Sequence, residues 1–296
     1  MASEAQRRRK NLAKKRQAEI RRRIGDQLAE EGLLDQAIEQ YERATELDGR
    51  NMGARVALAD AYFANEMPAK AYRAYRRVLK ADPQHAECHF SLGEFFLSIG
   101  RIRAALKAMS RAASCDPSRS YYAYRVGEIH VMMGQREEAE KRFLQATQLS
   151  PEDPFYHYKL AELRFRSGRL DEATRGYELA CRNAPADDFY HVRLAIAYAL
   201  QERNEDALRV FRRTVRIDPH NAVYRYLLAE HLRNMGREEE AQYYFATAGE
   251  LDEYDRDCVR RLRQRWDWFR TREDGPPTDL LDNEDRAPME GGPPGP

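Results

Sequence analysis

Few residues of this chain have types and spacings suited to chemistry. Four cysteines (Cys88, Cys115, Cys181, Cys258) have no close spacing and no flanking histidine at metal-ligand distance. They read as small apolar side chains in a reducing compartment, with no disulfide framework. Three of the seven histidines (His89, His157, His191) share one position in a register of 34 residues, which indicates a shared packing or surface role rather than a metal centre. There is no glycine loop to cradle phosphate, no paired-histidine zinc helix and no Ser, His and Asp spacing that suggests a triad. The expectation is a protein that is not an enzyme and carries no cofactor or metal. One chemically pointed pattern remains: Asp26, Asp60, Glu94, Glu128, Glu162 and Glu230 share a register that only Ile196 interrupts. Carboxylates stacked along one wall would select basic groups in a ligand. Against that, Arg125 and Lys159 stand three residues before Glu128 and Glu162 on the same helix and would neutralise them.

The elements that position these residues follow from the same step of 34. It carries Ala173 to Ala37, Ala71, Ala105, Ala139, Ala207 and Ala241 without a slip. Four residues on stand Tyr41, Tyr75, Met109, Phe143, Tyr177, Phe211 and Phe245, and three beyond those Ala44, Val78, Ala112, Ala146, Ala180, Thr214 and Ala248. The turn position reads Gly32, Glu66, Gly100, Gly134, Gly168, Glu202 and Gly236. Closing prolines stand at 83, 117, 151, 185 and 219. Upstream of each turn a large apolar residue precedes a small one, as in Leu92-Gly93 and Leu160-Ala161. Glycine supplies the left-handed residue that ends a first helix of roughly 14 residues, and proline stops a second one. Small side chains let the two backbones approach, and the aromatic fills the gap between neighbouring units. Neither helix buries its apolar stripe alone, so the units must stack.

With that period and those marks the sequence resembles the tetratricopeptide repeat (TPR) family. The resemblance implies an all-α, right-handed superhelical solenoid of seven helical hairpins. The units are 18–51, 52–85, 86–119, 120–153, 154–187, 188–221 and 222–255, with a basic arm at 1–17, helical or disordered, before them. An arginine-rich capping helix at 256–272 would cover the last unit with Val259, Leu262, Trp266 and Phe269, leaving Trp268 off that stripe. An acidic, Pro/Gly-rich segment at 273–296 reads as disordered, and its Asp279-Leu280-Leu281-Asp282 stretch as a linker or a docking motif.

In that family, positions 2, 5, 9, 12 and 13 of each unit face the concave surface. Carried onto this chain, they hold Phe90, Tyr121, Tyr124, Phe155, Tyr158 and Phe189, with Val192 and Tyr226 beside them. Position 12 adds Phe63 and Phe165. The expected partner-binding set is Phe90, Tyr121, Tyr124, Phe155, Tyr158, Phe165 and Phe189, with Glu94, Glu128 and Glu162 orienting basic side chains. The family's carboxylate clamp is not expected, because its slots hold Arg22, Asp26, Ala57, Glu87 and Ser91. The resemblance thus implies a cytoplasmic protein-protein interaction scaffold or adaptor that grips a partner peptide or helix.

Charge points to a second class. The net charge of +1 hides ten Lys or Arg against two acids in residues 1–23, and seven acids against one Arg in residues 273–296. No apolar run follows the arm, so neither a secretory signal nor a transmembrane segment is expected there. Such an arm suits nucleic acid or an anionic membrane, although no aromatic is interleaved to stack bases. The oppositely charged ends also suit self-association. RNA-reading helical repeats are disfavoured by their different period.

Overall fold

The computed structural model describes residues 4–249 and 256. The expected capping helix, apart from the helical Arg256, and the acidic segment lie outside those residues. Among the described residues all regular structure is helical, in two compact units divided between residues 149 and 150.

The first unit holds α1 (Glu4–Glu30), α2 (Leu34–Leu47), α3 (Met52–Ala64), α4 (Pro68–Ala81), α5 (Ala86–Ser98), α6 (Ile102–Cys115), α7 (Ser120–Met132) and α8 (Arg136–Leu149). The second holds α9 (Pro154–Arg166), α10 (Leu170–Asn183), α11 (Asp188–Leu200), α12 (Asn204–Ile217), α13 (Ala222–Asn234) and α14 (Glu238–Ala248). Within each unit every odd-numbered helix packs on the even-numbered helix that follows, and each hairpin on the next. The fold is an all-α helical repeat solenoid with seven hairpins among the described residues.

The first helix differs from the expected 14 residues: α1 runs for 27, so the basic arm from Glu4 is an extension of the first hairpin. The other first helices have 13 residues. Asn51, His85, Asp153, Asp187 and Asn221 cap helix starts by accepting a backbone N–H.

All seven turns share one hydrogen-bond pattern. The turn residue donates three residues back and its successor five back, as in Gly32 to Ala29 and Leu33 to Leu28. The first of these residues must be left-handed. Five glycines oblige, but Glu66 (φ 54°) and Glu202 (φ 58°) adopt the same conformation with a side chain attached. At the other end, Asp82, Asp116, Ala184 and Asp218 leave the helix immediately before prolines, whose rings disfavour helical backbone there.

The seven register alanines, from Ala37 to Ala241, have no exposed surface. The aromatic four residues later packs inside its own hairpin, against the small residue of the first helix. A Cβ on Gly25 would lie 2.6 Å from Tyr41, one on Gly93 2.5 Å from Met109, and one on Gly127 2.6 Å from Phe143. The same ring also reaches the next first helix, with Tyr75 6.2 Å from Phe95 and Phe211 5.4 Å from the His231 ring. The aromatic therefore spans both gaps, where the sequence pattern suggested only the one between units.

Candidate partner-binding face

In the first unit, the face presented by α5 and α7 is aromatic. Phe90 lies 5.5 Å from Tyr121 and 5.2 Å from Tyr122, and Tyr121 lies 5.9 Å from Tyr124. Tyr121 is 37% exposed and Phe90 half-buried, whereas Tyr124 is buried and stacks on Phe143 of α8 at 5.8 Å. Beside the rings, the Arg125 guanidinium donates to both Glu94 oxygens at 2.6 and 2.7 Å and to Glu128 at 2.6 Å. The Tyr124 hydroxyl also donates to Glu128. These two acids are thus engaged by groups of the chain itself.

In the second unit, Tyr158 is the centre of a ring cluster, 5.0 Å from Phe189 edge-on, 5.6 Å from Tyr190 and 6.1 Å from Tyr177. Phe155, Tyr158 and Phe189 are half-buried. Lys159 stands over Phe155 at 5.3 Å and Arg193 over Phe189 at 5.2 Å, so two rings of this face already carry a cation. Phe165 is only 4% exposed and packs on Tyr177, which makes it a core ring rather than an open anchor. Glu162 is 6% exposed and accepts from Tyr177 Oη at 2.8 Å and Arg166 Nε at 3.1 Å. Burial alone would raise its pKa; Arg193, Arg166 and the Tyr177 bond overcome that and hold it below the ordinary carboxylate value.

A rule relates the acid row to the aromatic row 15 residues later. Where the aromatic is tyrosine its hydroxyl donates to the acid: Tyr41 to Asp26 at 2.9 Å, Tyr75 to Asp60 at 2.6 Å, Tyr177 to Glu162. Where it is Phe211 the acid's place is taken by Ile196, and both are buried. Glu94 and Glu128, opposite Met109 and Phe143, turn to Arg125 instead. Glu230, opposite Phe245, pairs with Arg233 at 2.8 Å, so the row is largely an internal network. Asp60 pays the desolvation most visibly: burial pushes its pKa up to about 6, against the opposing bonds from Tyr75 and Ser91.

The histidine row also has a structural use. His89 and His157 bond the carbonyls of Pro83 and Pro151 through Nε2 at 3.0 and 2.7 Å, and in the same register Arg225 donates to the Pro219 carbonyl. A carbonyl only accepts, so these ring nitrogens carry hydrogen. His191 instead bonds the Asp187 carbonyl. Cys88 and Cys181 are buried, with thiols that burial pushes up to about 12, while Cys115 is half-buried and Cys258 lies outside the described residues. Among the described residues no group of three or more His, Cys, Asp or Glu is placed to hold a metal ion. No helix there is long and apolar enough to cross a membrane.

Residues 3–264 match the family profile described as the cilia and flagella-associated protein 70 C-terminal domain. The chain belongs to that family. The cilia and flagella-associated protein 70 C-terminal domain family thus spans every helix described above. Solved structures show the same fold. PilF of Pseudomonas aeruginosa is 21% identical with a TM-score of 0.58, covering 74% of this chain and 99% of its own. A tetratricopeptide repeat protein of Parabacteroides merdae is 16% identical with a TM-score of 0.53, covering 83% and 98%. YrrB, described as a TPR protein with an unusual peptide-binding site, is 18% identical with a TM-score of 0.51, covering 66% and 97%. No curated protein matches the chain.

Proposed function

We propose that this protein is a non-enzymatic, cytoplasmic interaction scaffold that holds segments of partner proteins on the faces of its first helices. One observation carries the reading: partly exposed rings stand in edge or tilted contact from one first helix to the next, Phe90 with Tyr121 and Tyr158 with Phe189. Such rings are held rigid by their neighbours, so a partner gains contact area at little entropic cost. Phe90, Tyr121, Phe155, Tyr158 and Phe189 are the contact rings. Tyr124, Phe165 and Glu162 support them from beneath. Because Glu94, Glu128 and Glu162 are already bonded, apolar side chains rather than basic ones are the partner's main anchors. The fold shared with YrrB, whose description names a peptide-binding site, agrees with a peptide as ligand.

A second reading uses the arm, since the first four turns of α1 leave their cations exposed beside Leu12, which is itself 53% exposed. Such a face suits nucleic acid or anionic lipid, and association with the acidic segment of another copy is a variant of it. Salt separates the two readings. Partners captured by the full chain and lost from a Tyr121→Ala, Phe155→Ala variant of unchanged melting temperature, in 0.5 M salt, support the aromatic face. Partners lost on raising salt alone would overturn it in favour of the arm.

A further inference from the structure

The second helices of two successive hairpins in the first unit, α4 and α6, contain no Asp or Glu. They present Lys70, Arg73, Arg77 and Lys80 on α4, and Lys107 and Arg111 on α6. Arg73 and Lys107 are 34 residues apart, as are Arg77 and Arg111, so the cations form two rows in the repeat register. All six are exposed, and none makes an ion pair with a carboxylate among the described residues. Elsewhere several cations of the helices are neutralised within the chain. Arg125, Arg166, Arg203, Arg212 and Arg237 all pair with an acid. A whole-chain charge of +1 cannot explain a patch of this density.

The cations line two recesses. One, of about 600 Å³, lies among α2, α3 and α4 with Thr45, Leu58, Tyr62, Ala74 and Val78 in its wall and Arg55, Lys70, Arg73, Arg77 and Lys80 beside them, Lys70 standing 5.3 Å over the Tyr62 ring. The other, of about 640 Å³, is walled by Leu79, Leu92, Phe96 and Ala108 from α4, α5 and α6, with Lys107 and Arg111 beside them. The apolar groups are half-buried or buried while the six cations of α4 and α6 are exposed. A phosphate backbone has no use for an aliphatic floor, and a bilayer meets protruding apolar side chains better than recessed ones. A peptide with apolar side chains flanked by acids matches both features, because its charges meet the unpaired cations as its side chains fill the recesses.

We propose that the α4–α6 face is a second docking surface, distinct from the aromatic first-helix face, whose occupant is an acidic protein segment carrying large aliphatic side chains. The test uses the full chain and a fluorescent 16-residue peptide of Asp and Glu with leucine at helical spacing, read by anisotropy in 150 mM salt. The expected result is saturable binding that weakens about tenfold or more when the leucines become serine. It weakens about thirtyfold in an Arg73→Glu, Arg77→Glu, Lys107→Glu variant whose circular dichroism and melting temperature are unchanged. The Tyr121→Ala, Phe155→Ala variant binds this peptide as the unaltered chain does, which separates this surface from the one above. Equal affinity for the leucine and serine peptides would overturn the proposal, since charge alone would then suffice. So would tighter binding of an oligothymidylate or of phosphatidylserine vesicles to the same six residues. Self-association of the unaltered chain that the triple reversal abolishes would assign the face to a second copy and reject the acidic partner.

Discussion

Removing the hydroxyl of Tyr177 should destabilise the second unit although no packing atom is lost. That oxygen donates to Glu162 at 2.8 Å, and the carboxylate has 6% of its surface left for water to replace the bond. A hydrogen bond to a charged group contributes about 1.5–3 kcal/mol, so Tyr177→Phe should lower stability by about 2 kcal/mol. The two guanidinium partners keep Glu162 ionised, which places the value in the middle of that range rather than above it. With a urea slope of about 2–3 kcal/mol/M, the midpoint followed by helical circular dichroism should fall by about 0.7–1 M. The sixth hairpin supplies the opposite experiment. Phe211→Tyr adds a hydroxyl where Ile196 replaces the acid, and a buried phenol without an acceptor should cost about 1–3 kcal/mol. Two losses from chemically opposite changes would establish the pairing of rows. A neutral Tyr177→Phe would refute it and return Glu162 to the list of ligand-facing acids.

Relieving the two left-handed glutamates by Glu66→Gly and Glu202→Gly should stabilise each hairpin by about 0.5–1 kcal/mol, the backbone strain outweighing the added freedom of the unfolded chain, and urea midpoints would show it. Gly127→Ala should cost about 1–3 kcal/mol, because its Cβ would stand 2.6 Å from a Phe143 ring held against α7; a midpoint within error of the unaltered chain would show that the ring can move. Asp60 titrates near 6 in the folded chain against 3.8 ordinarily, so the stability that its neutral form confers is complete below pH 3.8 and is lost as pH rises through about 6. Asp60→Asn, which keeps an acceptor for Tyr75, should therefore raise the melting temperature at pH 7.5 and leave it nearly unchanged at pH 4; an equal shift at both would contradict the assignment.

The hairpins were legible because period, turn and small residues are backbone requirements repeated seven times. A left-handed turn residue announces itself as glycine, and Glu66 and Glu202 were placed only by register with the other five. The face was legible in part. The rings at positions 2 and 5 do meet across helices, but register alone does not say how deep a ring lies. Tyr124 and Phe165 are buried because Phe143 and Tyr177 of the second helices reach them. The acid row was legible only in part for a different reason. Helical neighbours engage Glu128 and Glu230, but Asp26, Asp60 and Glu162 also meet a tyrosine 15 residues on and Glu94 an arginine in the next hairpin, where a reading confined to one helix does not look. Arg125 shows both sides, since it bonds Glu128 three residues away and Glu94 thirty-one away. The run of cations without acids on α4 and α6 stands in the sequence, but the recesses beside it exist only in the fold, since their walls come from several helices.

The most direct measurement of the central claim is quantitative affinity capture in 0.5 M salt with three forms of the full chain: unaltered, Tyr121→Ala with Phe155→Ala, and Lys14→Glu with Lys15→Glu and Arg16→Glu. The aromatic-face account predicts that bound partners fall at least about tenfold for the ring variant and hold for the arm variant. Partners that survive loss of the rings and disappear with the arm reversals would contradict it.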